Sequence, residues 1–185
     1  MKFYAFLADG FETVEALGVI DILRRGGVEV TTVSIKDTRE VVTAQRVTVM
    51  TDTLLSDLDF EAGDAIFLPG GIPGTPNLES CKPLMEQIIN YRDQGKYLVA
   101  ICAAPSIFGH LGILKGKKAT CYPGFEKDLT DATVTGDGVT VDGKIITARG
   151  MGKTIDLGLK LLELFTDGEK ARTVGEGIQY LEKQS

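Results

Sequence analysis

The chain has 185 residues, of which 43% are hydrophobic and 25% charged, a balance that suits one soluble globular domain and excludes a disordered chain. Lys and Arg total 20 against 26 Asp and Glu, a formal net charge of −6, so no basic excess points to nucleic acid or to an anionic membrane surface. A small molecule or a protein is the expected partner.

Lys2 to Leu7 is short, apolar and aromatic and reads as a buried strand; the apolar run ends at Asp9, too early for a signal-peptide core, so a cytoplasmic protein is expected. Glu12 to Arg25 sets Val14, Leu17, Ile20 and Leu23 near helical spacing before Gly26-Gly27, which reads as a helix with a glycine stop. Val28 to Ile35 is β-branched and gives a second strand. A strand, a crossover helix and a strand make a βαβ unit, whose strands run parallel. Val41 to Leu55, with Val41-Val42-Thr43 and Val47-Thr48-Val49, reads as a small antiparallel addition.

The strand–helix alternation resumes with a strand at Ala65–Leu68, a helix at Pro83–Gln94 and a strand at Leu98–Ile101 that feeds directly into a new helix. Tyr97 to Leu114 holds no Asp, Glu, Lys or Arg, but Pro105, Gly109 and Gly112 interrupt it, so it reads as a buried strand and helix rather than a membrane span. Thr133 to Thr147 carries the hairpin dipeptides Asp137-Gly138 and Asp142-Gly143 and reads as a second antiparallel addition. Lys153 to Phe165 is an amphipathic helix, and Lys170 to Leu181 a further short one. The pattern predicts a single domain over 1–185, an α/β fold with a doubly wound, mostly parallel sheet, helices on both faces and small hairpin additions. Val14, Leu17 and Ile88 are expected in its core.

Cys81, Cys102 and Cys121 are an odd number at wide spacings, which supports neither a disulfide framework nor a metal cluster. Cys102 stands out among them. It ends an apolar strand, is followed by Ala103-Ala104-Pro105 and opens a helix, the logic of a nucleophile elbow at the carboxyl edge of a sheet. A helix N-terminus there is expected to lower the thiol pKa; the alternative is an inert buried thiol. Leu68-Pro69-Gly70-Gly71 ends the neighbouring strand in a glycine turn whose backbone N–H, with that of Ala103, suits an oxyanion hole; the alternative is a plain tight turn. The single histidine, His110, is eight residues along the same helix, ~12 Å of rise, and so is not a partner for the thiol. Glu12 and Glu15 follow the first strand, whose end faces the same crevice, and either is a candidate to meet Cys102.

In this order, these pieces resemble the ThiJ/PfpI superfamily and, more closely, its DJ-one branch, named for a human parkinsonism-associated protein. The resemblance rests on Leu7-Ala8-Asp9-Gly10-Phe11-Glu12-Thr13-Val14-Glu15, Asp21 to Gly27, Leu68 to Gly71, Ala100-Ile101-Cys102-Ala103-Ala104-Pro105 and Thr147 to Gly152. It implies a flavodoxin-like, class I glutamine amidotransferase-like fold, a homodimer, and an oxidation-prone elbow cysteine at Cys102. It also implies that Glu15, protonated, hydrogen-bonds the sulfur, that Gly71 and Ala103 are backbone donors, that Arg46 lies near the dimer-side wall of the pocket, and that Gly70 and Tyr122 are pocket residues. The sequence departs from the family at Tyr122, where relatives carry a histidine, at Ala104 in place of Gly and at Met151 in place of Pro. A tyrosine hydroxyl, which ordinarily loses its proton near pH ~10, makes Tyr122 a poor base at neutral pH.

The activity the resemblance implies is cofactor-independent glyoxalase or deglycase chemistry on a small aldehyde or a glycated adduct. The alternative is a cysteine-based sensor of oxidative stress. An amidotransferase or protease would need a histidine near the elbow.

Overall fold

A computed structural model describes residues 1–182 of the chain. The elements in order are β1 (Lys2–Leu7), α1 (Thr13–Arg25), β2 (Glu29–Ser34), β3 (Glu40–Val42), β4 (Thr48–Met50), β5 (Thr53–Leu54), β6 (Ala65–Leu68), α2 (Gly74–Glu79), α3 (Lys82–Asp93), β7 (Tyr97–Ile101), α4 (Pro105–His110), β8 (Lys118–Ala119), β9 (Thr133–Val134), β10 (Val139–Asp142), β11 (Ile145–Ala148), α5 (Thr154–Phe165) and α6 (Gly168–Gly177). The central sheet is ordered β10-β11-β7-β6-β1-β2-β5 and is parallel throughout except for β10 at one edge. Its five principal strands follow the flavodoxin-like order, which reverses between β1 and β6. Ligand crevices form outside the strand C-termini at such a reversal.

Helices cover both faces. Phe3 and Ala5 of β1 face one way, onto Val19, Ile22 and Leu23 of α1, Leu157 and Leu161 of α5 and Val174 of α6. Tyr4 and Phe6 face the other way, with Leu84 and Ile88 of α3 and Ile107 and Phe108 of α4. The one-residue alternation of the strand thus supplies two cores.

The two additions are only partly antiparallel. β3 and β4 pair as expected, Val41 opposite Val49. β5, inside the same stretch, instead joins β2 in parallel at the sheet edge, because Asp52 accepts from the backbone N–H and hydroxyl of Thr32, both at 2.8 Å, and draws the chain alongside β2. In the second stretch β10 and β11 form the antiparallel pair. However, β11 is a central strand parallel to β7, and β9 pairs in parallel with β8 in a separate two-stranded sheet. The hairpin dipeptides flanking this stretch could not reveal this, although all four residues of β11 are buried, as a strand covered on both faces requires.

Within α1 the buried stripe is Glu15, Ala16, Val19, Ile20, Ile22 and Leu23. Val14 is 47% exposed and is not core, contrary to expectation, because the helix is rotated to turn Glu15 inward in its place. Leu17 is half-buried and Ile88 is fully buried. The helix starts where the Glu12 carboxylate accepts the backbone N–H of Glu15 at 2.7 Å. No helix among the described residues is long and apolar enough to cross a membrane.

Candidate active site

Three adjacent strand ends build the site: the loop after β1 leading into α1, the Gly70-Gly71 turn after β6 and the residue after β7. β6 and β7 are paired so that Leu68 lies opposite Ala100, which brings the glycine turn beside Cys102. Cys102 has φ of 67°, a left-handed conformation that costs a non-glycine residue about 1–3 kcal/mol. Flanking strands hold it there. Its N–H donates to the Ala148 carbonyl at 2.9 Å, and its carbonyl accepts the Tyr122 N–H at 2.8 Å. The predicted elbow is therefore present, with the thiol half-buried.

Of the two candidate carboxylates, Glu15 faces the sulfur and Glu12 caps the helix. Glu15 is 1% exposed, and its Oε2 accepts the buried Gly70 N–H at 3.0 Å. It also hydrogen-bonds Cys102 and the Met151 backbone N–H. Burial is the main reason its pKa rises from 4.5 to about 7, with the Glu12 charge adding to it; the three hydrogen bonds pull it back. Gly70 is confined by this meeting, since a Cβ there would lie 2.6 Å from both Glu15 Oε2 and Cys102 Cβ. Gly71, at φ of 100°, makes the turn that aims its N–H at the sulfur.

The thiol pKa moves opposite to the expectation from a helix dipole. Burial first, then the Glu15 charge and hydrogen bond, together raise it from 9.0 to about 12, against the pull of the Ala103 and Gly71 N–H groups. The dipole is weak for a structural reason: α4 has six residues and begins with Pro105, which has no N–H to offer. At neutral pH the pair carries one titrating proton on Glu15 and one on the thiol.

The other candidates fall into place around this core. Tyr122 is 51% exposed, with its ring against Gly150. Arg46 is exposed, at φ of 65°, in the β3–β4 turn, and that hairpin joins the site loop through the Ala44 N–H to the Phe11 carbonyl at 2.8 Å. It stands beside the site rather than among the groups around the sulfur. His110 ends α4 and pairs with Glu79 at 2.6 Å, away from the thiol. Cys121 is buried among apolar side chains on the α3–α4 face, and its pKa rises to about 11. The Met151 N–H on Glu15 is the contact that sequence reasoning missed; its only trace was the glycine-rich run Gly150-Met151-Gly152 after a strand.

A doubly wound sheet with a carboxyl-paired elbow cysteine one strand from its topological reversal defines a class of cysteine-centred α/β proteins. The DJ-1/PfpI family model matches residues 1–164, and the chain belongs to that family. It is 44% identical over 167 residues, 89% of its length, to protein DJ-1 homolog B of Arabidopsis thaliana. It spans 38% of that relative's own length. It is 28% identical over 165 residues to the glutathione-independent glyoxalase DJR-1.2 of Caenorhabditis elegans, covering 88% of this chain and 87% of that one. A solved structure of oxidized Toxoplasma gondii DJ-1 superposes with a TM-score of 0.93 at 34% identity, covering 97% of this chain and 98% of that one.

Proposed function

We propose that this protein is a cofactor-independent enzyme acting on reactive carbonyls, of glyoxalase or deglycase type, with Cys102 as nucleophile and Glu15 as proton carrier. The observation that carries the reading is the hydrogen bond between the thiol and a buried carboxyl whose pKa is about 7. A base is most effective when its pKa lies near the working pH, and this one lies in contact with the proton it must remove. The similarity to a protein named as a glyoxalase supports the same reading.

With methylglyoxal, the Cys102 sulfur adds to the aldehyde carbon, forming a C–S bond, while the thiol proton passes through Glu15 to the new alkoxide. Glu15 next removes the hydrogen on that carbon as a proton and, through the enediol, returns it to the neighbouring carbon, leaving the thioester of lactate. Water then cleaves the C–S bond and restores the thiol. The net change is addition of one water, with no external oxidant or reductant. The Gly71 and Ala103 N–H groups stabilise the oxyanions on this path. Methylglyoxal supplied without any added thiol is expected to give lactate with wild type and none with Cys102→Ala; lactate formation by Cys102→Ala overturns the reading.

A second reading is favoured by the oxidized state of the Toxoplasma gondii structure. Here peroxide takes Cys102 to the sulfinate, with a protonated Glu15 and the two N–H groups as its hydrogen-bond donors. The proposal includes a homodimer, which a mass measurement in solution tests directly.

A further inference from the structure

We propose that the site selects carbonyl substrates bearing an acidic group, and that Arg149 receives that group; the inference rests on the reading of Cys102 as a nucleophile toward carbonyls. A cavity of about 400 Å³ adjoins the elbow, lined by Tyr122, Pro123 and the run from Arg149 to Lys153. Two of its lining residues, Tyr122 and Met151, are tied through their backbone N–H groups to Cys102 and Glu15. Arg149 directly follows Ala148, which pairs with Ile101 across the strands and accepts the Cys102 N–H. Tyr122 donates its own N–H to the Cys102 carbonyl, and Met151 donates its N–H to Glu15. Gly150 lies between the Tyr122 ring and the carboxyl: a Cβ there would lie 3.2 Å from Tyr122 Cδ2 and 3.9 Å from Glu15 Oε1.

The charges in this cavity are unequal in what they leave free. Lys153 is engaged by Asp156 at 2.9 Å. Arg149 is exposed and its guanidinium has no carboxylate partner among the described residues, in a chain whose net charge is −6. An arginine fork offers five N–H donors in a geometry that suits carboxylate or phosphate. The Tyr122 hydroxyl, at the same cavity, adds a neutral donor. The acidic groups around it are Glu15, which is neutral once it has taken up the thiol proton, Glu12, held at the α1 cap, Asp156, held by Lys153, Glu126, which accepts the Gly124 N–H, and Asp137, beside the Gly138 carbonyl that accepts the Arg149 N–H. A neutral α-oxoaldehyde gains nothing from Arg149. One carrying a carboxylate or phosphate beyond its second carbonyl gains an ion pair while its aldehyde carbon meets the sulfur.

Alkylation of Cys102 by iodoacetate and by iodoacetamide tests this without turnover. Both reagents form an S–C bond and release iodide, and they differ in the charge of the group carried. The ratio of the two rate constants, followed by intact mass, is expected to fall about fivefold in Arg149→Met and to stay within about twofold of wild type in Arg149→Lys. Acetate and inorganic phosphate, added as competitors, identify by the stronger slowing of the iodoacetate reaction which acidic group the wall prefers. A ratio unmoved by Arg149→Met overturns the inference and leaves the nucleophile standing. Failure of Cys102 to react with either reagent overturns the nucleophile and the inference together.

Discussion

The Glu15 carboxyl and the Cys102 thiol meet across a gap that exists only because residue 70 has no side chain. A Cβ at Gly70 would lie 2.6 Å from Glu15 Oε2 and 3.1 Å from Cys102 Sγ. Gly70→Ala should therefore push the pair apart, lowering carbonyl turnover about a hundredfold and stability by about 1–3 kcal/mol. Steady-state kinetics and thermal unfolding check both.

The raised pKa of Glu15 gives stability a definite pH dependence. Between its ordinary value of 4.5 and about 7 the carboxyl stays protonated in the folded chain and is ionised in the unfolded one. Stability falls as pH rises through that window, by up to roughly 3 kcal/mol, because the unfolded state has already lost the proton that the folded state retains. The proposed turnover is expected to rise toward the upper end of the same window as the base forms. Glu15→Gln should remove both dependences, lower turnover about a hundredfold and be more stable than wild type at pH 8. Denaturant titrations at pH 5 and pH 8, beside a pH–rate profile, measure this.

The positive φ of Cys102 separates activity from stability. Glycine adopts φ of 67° without cost, whereas alanine keeps the strain. Cys102→Gly and Cys102→Ala should both lack turnover, with the glycine variant more stable by about 1 kcal/mol. Comparing their melting temperatures decides it.

Met151 holds a position where the backbone N–H matters more than the side chain. Its N–H donates to the Glu15 carboxyl, and it opens a single 3₁₀ turn preceded by Gly150 in extended backbone. A proline fits such a place but brings no N–H. Met151→Pro should fold, raise the Glu15 pKa and move the midpoint of the pH–rate profile upward, while Met151→Leu leaves that midpoint in place.

The strands β1, β6 and β7 and the helices α3 and α5 were legible because each carries a single strong period and a clear stop. Cys102 and the Gly70-Gly71 turn were legible as a strand-end pair for the same reason. The six-residue α2 was hidden in a glycine- and proline-rich run that reads as a turn. The placement of β11 between β7 and β10 depended on pairing, which local pattern does not specify. Glu15 stood at helical spacing from Val19 and Ile22, yet a carboxylate on a buried stripe defies the rule that reads stripes from apolar residues. The direction of the Cys102 pKa was set by burial from several elements at once, a quantity absent from any single segment.

In the proposed function one thiol, Cys102, carries the chemistry. Graded peroxide followed by intact-mass spectrometry, with methylglyoxal turnover measured on each sample, tests it directly. Activity is expected to fall in proportion to the addition of two oxygens at Cys102, and Cys102→Ala to show neither the adduct nor the activity. Turnover that survives complete oxidation of Cys102 would contradict it.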